Sequence, residues 1–116
     1  MAILVAVTDS GEGAVALDRA VAEAALRGTG LIVANLRLGP LRIPAGLDVE
    51  VIERKPNIDV AEHVLQLLDE REGEVELLVI GMKRRSPVGK LVLGSLAQRL
   101  LLQAGVPVLA VKTAEN

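Results

Sequence analysis

The chain has no cysteine, no tryptophan, no tyrosine and no phenylalanine in 116 residues. Without cysteine there are no disulfides and no thiol chemistry, which fits a reducing compartment. Without aromatic rings the core must be aliphatic, and a bound base has to be held by aliphatic and backbone contacts rather than by stacking. There is one histidine, so with no cysteine a protein-only transition-metal centre is not expected. Charge of one sign is also missing. The net charge is −2, with both signs mixed along the chain, so no overall field attracts nucleic acid or a membrane. No stretch offers ~20 uninterrupted apolar residues. The longest candidate, residues 91–111, is broken by Gln98, Arg99 and Gln103. The first ten residues have no basic segment and turn polar after Val7, and they are expected to form a strand rather than a signal peptide. A cytoplasmic protein is the simple expectation.

What is present is aliphatic: 51% of the residues are hydrophobic, enough for one core at a length typical of one domain. Residues 2–7 form an apolar run ending in Thr8-Asp9-Ser10-Gly11, a buried strand entering a turn. Ala14, Leu17, Val21, Ala24 and Ala25 follow at helical spacing, with Gly28 suited to the helix end. Residues 31–36 give a second strand. Residues 37–47, with Gly39, Pro40, Pro44 and Gly46, are expected to be loop. Residues 48–54 alternate like a half-exposed edge strand. Asp59 with Glu62 forms a capping box for a helix carrying Val60, Ala61, Val64, Leu65 and Leu68. Residues 77–80 are a fully buried central strand. Ser95 with Gln98 repeats the capping pattern before Leu96, Leu100, Leu101 and Ala104, and residues 106–111 form the last strand, with Pro107 near its start.

Strands alternating with helices predict an α/β fold, an open, mostly parallel five-stranded sheet covered on both faces. Right-handed crossovers lead to the order 3-2-1-4-5. Only about eleven residues and no helix join the second and third strands, close to the minimum for a parallel crossover, so the direction of the third strand stays open.

Ligands of such sheets bind beyond the carboxyl ends of the strands where the order reverses, here between the first and fourth strands. The loops brought together there are residues 8–13 and 81–95. The second contains Gly81, Lys83, Arg84, Arg85, Lys90, Gly94 and Ser95. Gly81 is expected to let backbone approach a ligand. Gly94 and Ser95 open a helix whose free N–H groups favour an anion. This combination predicts a phosphate site; each residue by itself is also an ordinary turn or cap residue.

The stretch Gly81-x2-Arg84-x9-Gly94-Ser95, then Leu-Ala-Gln-Arg-Leu-Leu and Val-Pro-Val-Leu-Ala-Val-Lys, resembles the universal stress proteins, as does the opening Ile-Leu-Val-Ala-Val-Thr-Asp-Ser. Nucleotide-binding members carry Gly-x2-Gly-x9-Gly-Ser/Thr here. The resemblance implies a Rossmann-like fold of the adenine nucleotide alpha hydrolase type. It also implies ATP or AMP, with or without Mg²⁺, with phosphates against Gly81, Gly94 and Ser95 and Asp9 near the adenine or ribose; Thr8, Arg84 and Arg85, beside these, complete the expected contacts. Arg84 stands where the family motif has its middle glycine, and its side chain either fills the cradle or reaches the phosphates. Thr8 stands where binding members commonly have Asp, with Asp9 one position later. The family also implies a homodimer through the last strand. Val108, Leu109, Ala110 and Val111 supply a reason, being an apolar edge with little charge to protect it.

Other chemistries are thin. A Walker loop is excluded because the stretch from Arg84 to Leu91 lacks the first glycine and the hydroxyl residue after Lys90. His63, beside Glu62 and Gln66, is expected on the surface rather than in catalysis. Asp9 and Glu12 are turn and cap residues first and magnesium ligands second. The basic cluster from Lys83 to Lys90 lacks aromatic partners for nucleic acid. The expectation is a nucleotide-responsive regulatory module of the stress response, not an enzyme. A ligand-free interaction scaffold and a slow ATP hydrolase are the alternatives.

Overall fold

Strands buried on both faces are built from unbroken aliphatic runs, and this chain has two such runs at the centre of its sheet. The computed structural model describes residues 1–43, 46, 48–82 and 94–113. In chain order the elements are β1 (Ala2–Val7), α1 (Gly11–Arg27), β2 (Gly30–Asn35), β3 (Val49–Glu53), α2 (Val60–Glu70), β4 (Val75–Met82), α3 (Ser95–Gln103) and β5 (Val108–Lys112). They form one sheet in the order β3-β2-β1-β4-β5. The expected order and α/β class are both correct.

The open question of the third strand is resolved as parallel, with Leu31 opposite Val49 and Asn35 opposite Glu53. Every other pairing in the sheet is parallel as well.

Alternation along β1 divides the core. Ile3, Val5 and Val7 face one cluster with Ala16, Leu17, Ala20 and Ala24 of α1. Leu4 and Ala6 face the other, with Val64, Leu67 and Leu68 of α2 and Ala97 and Leu100 of α3. The buried stripe of α1 runs through Gly13, Ala16, Leu17, Ala20, Glu23 and Ala24. The expected stripe was rotated from this one, since Ala14 and Ala25 are exposed. Alanine is small enough to sit on either face, so an alanine-rich helix defines its buried side weakly. On α3, similarly, Leu101 faces solvent and Ala97 packs inward.

The helix ends follow local chemistry. Gly28 closes α1 at φ 64°, the left-handed conformation in which glycine carries no steric penalty. Asp59 caps α2, its Oδ2 accepting the Glu62 N–H at 3.2 Å. Glu62 does not complete the box. Its carboxylate and that of Asp59 both accept hydrogen bonds from Arg99 of α3. At α3 the cap is Gly94, with no side-chain hydrogen bond, and Ser95 is the first helical residue rather than the cap expected for it. The Gln98 N–H is satisfied by the Gly94 carbonyl at 3.0 Å.

The expectation for His63 is corrected outright. It has no solvent exposure. At 100° per residue it falls about 40° beyond Leu67, on the flank of the sector that holds Val64, Leu67 and Leu68, and it is buried with them. Glu62 and Gln66 mark the neighbouring sector and misled the surface reading.

Candidate functional site at the carboxyl end of β1

Two glycines shape the end of β1. A Cβ at Gly13 would overlap the carbonyl oxygen of Thr8 and come within 2.7 Å of its nitrogen. A Cβ at Gly81 would overlap the Glu12 carbonyl oxygen and lie 2.7 Å from its carbonyl carbon. The first turn of α1 is thereby seated directly on the β1 turn and on β4. Gly81 lies inside β4, which continues to Met82, rather than beyond the strand as expected. On this face its missing side chain serves helix packing.

Beside that turn is an open cleft of about 390 Å³, lined by Val7, Thr8, Asp9, Ser10, Gly11, Ala14, Leu17, Asp18, Arg37, Leu41 and Arg42. Its floor is aliphatic and its rim polar, with two guanidinium and two carboxylate groups. The hydroxyls of Thr8 and Ser10 are 2.8 Å apart. Ser10 precedes α1 without capping it through its side chain.

The far wall was not foreseen as functional. Residues 37–42 follow β2 and are organised by Asn35, which is 1% exposed. Its Nδ2 donates to the Gly39 carbonyl at 3.1 Å and to Glu53 Oε1 at 3.0 Å. Its Oδ1 accepts the Arg37 N–H at 3.1 Å. Arg37 in turn donates to the Pro40 carbonyl at 3.2 Å. A buried polar residue with all these bonds satisfied holds its surroundings in one arrangement. The available signal was an asparagine ending an otherwise aliphatic strand, followed by two arginines around Gly39-Pro40.

Asp9 joins the two walls. Its Oδ2 accepts the Leu38 N–H at 3.3 Å and its Oδ1 lies 3.6 Å from Arg37 Nε. Of the expected site residues, Thr8 and Asp9 line the cleft. Gly94 and Ser95 are exposed at the start of α3 and do not line it. Arg84 and Arg85 lie outside the described residues, as do Lys83 and Lys90. The cleft therefore sits on the β2 side of β1, whereas the expected site was between β1 and β4. Among the described residues no group of His, Asp and Glu could hold a metal ion, and no helix is long and apolar enough to cross a membrane.

This architecture has close counterparts. A universal stress protein of Mycolicibacterium smegmatis is 40% identical over 117 residues, spanning 86% of this chain and 88% of the relative. A universal stress protein structure from Archaeoglobus fulgidus matches with a TM-score of 0.74 at 27% identity, over 97% of this chain and 98% of that one. An Archaeoglobus fulgidus universal stress protein in complex with dAMP matches with a TM-score of 0.68 at 23% identity over the same shares. A family member from Burkholderia pseudomallei matches with a TM-score of 0.59 at 22% identity, over 95% of this chain and 94% of that one. The model of the universal stress protein family covers residues 45–112. With a curated relative of this identity and a family match over more than half its length, the chain belongs to the universal stress protein family.

Proposed function

We propose that this chain is a nucleotide-responsive regulatory module that binds an adenine nucleotide, ATP or AMP, at the carboxyl end of β1. The observation that carries this reading is the cleft itself. Its volume of about 390 Å³ falls within the range of small-molecule sites, and it combines an aliphatic floor with a few convergent polar groups. Thr8, Asp9 and Ser10 would take the sugar hydroxyls. The cationic rim of Arg37 and Arg42 would favour the phosphates within the cleft; the amide groups opening α3 at Gly94 and Ser95, which do not line it, would meet only phosphates that reach past β1 toward β4. Arg84 and Arg85, outside the described residues, belong to the proposed phosphate contact by their charge. Mg²⁺ would arrive on the phosphates of ATP. The adenine nucleotide held by the Archaeoglobus fulgidus relative is consistent with such a ligand on this fold.

The test is calorimetric titration of ATP and of AMP into nucleotide-stripped protein. Saturable heat with either nucleotide supports the reading; no heat at millimolar concentration overturns it. The chain has no Trp or Tyr, so a 260 nm band in freshly purified protein would directly reveal carried nucleotide.

A second reading, a ligand-free interaction module, draws on the engagement of Asp9. Its carboxylate already accepts the Leu38 N–H and neighbours Arg37, and a ligand hydroxyl must compete with both. An intact dimer that takes up no nucleotide would favour it.

The homodimer forms through β5 in either reading. β5 ends the sheet. The bonds from the Leu78 N–H to the Pro107 carbonyl and from the Thr113 N–H to the Met82 carbonyl turn the odd-numbered residues toward β4. By alternation, Val108 and Ala110 direct their backbone groups to the open edge. A second copy pairing there would satisfy them and remove an aggregation-prone edge.

A further inference from the structure

His63 is the only histidine of the chain, and neither of its ring nitrogens has a hydrogen-bond partner among the described residues. The residue has no solvent exposure and counts with Val64, Leu67 and Leu68 among the buried residues of α2, on the flank next to Leu67. An imidazole can occupy such a place as the neutral base. As the cation it would be a buried charge without a partner, which proteins avoid by moving the group to water.

We propose that His63 is an acid-sensitive latch for α2. The neutral ring lets the helix lie on the sheet, and protonation requires α2 to lift far enough for the ring to reach solvent.

The surrounding charges do not rescue the cation. Lys55, in the segment joining β3 to α2, opposes protonation, while Glu70 at the far end of α2 favours it. Asp59 and Glu62 on the first turn of α2 are engaged by Arg99 of α3. Glu53 on β3 is engaged by Asn35. Burial, with Lys55 adding to it, holds the imidazole below the ordinary histidine range. A group whose folded-state value is depressed in this way binds protons mainly in the unfolded or opened state. The stabilisation is therefore complete above about pH 6.5, the unfolded value, and is lost as pH falls from there toward the folded value.

α2 is the element suited to release. It has 11 residues, too few to persist as a helix in water without tertiary contacts. Its ion pairs to Arg99 are partly exposed and contribute little. β1, by contrast, is paired on both sides and buried.

The protein offers a direct probe. Because it contains no Phe, Tyr or Trp, the carbon-bound ring protons of His63 are the only aromatic side-chain signals in a proton NMR spectrum recorded in D₂O. Their native-state titration should have a midpoint below 6.5; a midpoint at or above 6.5 overturns the proposal. In urea unfolding between pH 7.5 and 5, the unfolding constant of the wild type should rise by up to about tenfold per pH unit below 6.5. H63L should show a clearly smaller rise, and equal slopes overturn the latch. If H63L does not fold, the NMR titration still decides. Hydrogen exchange at pH 5.5 should show protection lost in α2 before β1. Simultaneous loss overturns release of α2 as the response.

Discussion

Gly81 of β4 leaves no room for even a methyl group between itself and the backbone of Glu12, which opens α1 on the opposite side of the β1 turn. The contact is backbone against strand, so a side chain at position 81 cannot be accommodated by a rotamer change. It would have to push α1 off the sheet. Gly81→Ala should therefore destabilise the fold by about 1–3 kcal/mol, as overpacking does. Gly105→Ala, where a Cβ meets open space, should stay within about 0.5 kcal/mol. Urea midpoints of the two variants check the pair. Equal midpoints would mean that α1 slides freely on β4.

Asn35 tests whether the wall of the cleft is held from inside. Asn35→Ala leaves the Gly39 carbonyl and the Arg37 N–H without their side-chain partner. The expected cost is about 1–3 kcal/mol, accompanied by faster hydrogen exchange across residues 36–42. Unchanged exchange there would show that the segment is held by something other than the asparagine.

Asp59 carries two tasks and Arg99 shares only one of them. Asp59→Ala removes the cap of α2 and one partner of Arg99, whereas Arg99→Ala removes partly exposed ion pairs alone. The first should cost about 1–2 kcal/mol and the second no more than about 1 kcal/mol. Thermal or urea unfolding that reverses this ranking would place the weight on the α2–α3 ion pairs instead of the cap.

On the nucleotide reading, Thr8→Ala and Asp9→Ala should each weaken binding by roughly tenfold, the loss of about 1.4 kcal/mol. Calorimetry on both variants measures this. Tighter binding in Asp9→Ala would mean that its tie to Leu38 and Arg37 holds the cleft closed to ligand.

For the dimer, Ala110→Pro removes an N–H that faces the open edge while sparing the bonds to β4. Light scattering should show the wild type as a dimer and this variant as a monomer with an unchanged circular dichroism spectrum. A monomeric wild type at about 100 µM would remove β5 pairing from the proposed function.

Much of this molecule is decided locally. Unbroken aliphatic runs at residues 2–7 and 77–80, bounded by turn residues, read as strands covered on both faces, and the helices alternating with them predict a mostly parallel sheet and its strand order. Asp59 and Gly28 mark helix ends because capping is settled within a few residues. The family motif around Gly81 and Gly94 is equally legible. Contacts between distant segments are not written in any local period. That β3 runs parallel, that Gly81 is filled by Glu12, and that Asp9 is held by Arg37 and Leu38 depend on which surfaces meet after folding. Asn35 and the arginines behind it belong to the cleft wall only because β2 ends beside β1. His63 shows the boundary between the two. Its helical position places it beside Leu67, which the spacing of the chain contains, but that its ring has no hydrogen-bond partner among the described residues is decided by packing after folding.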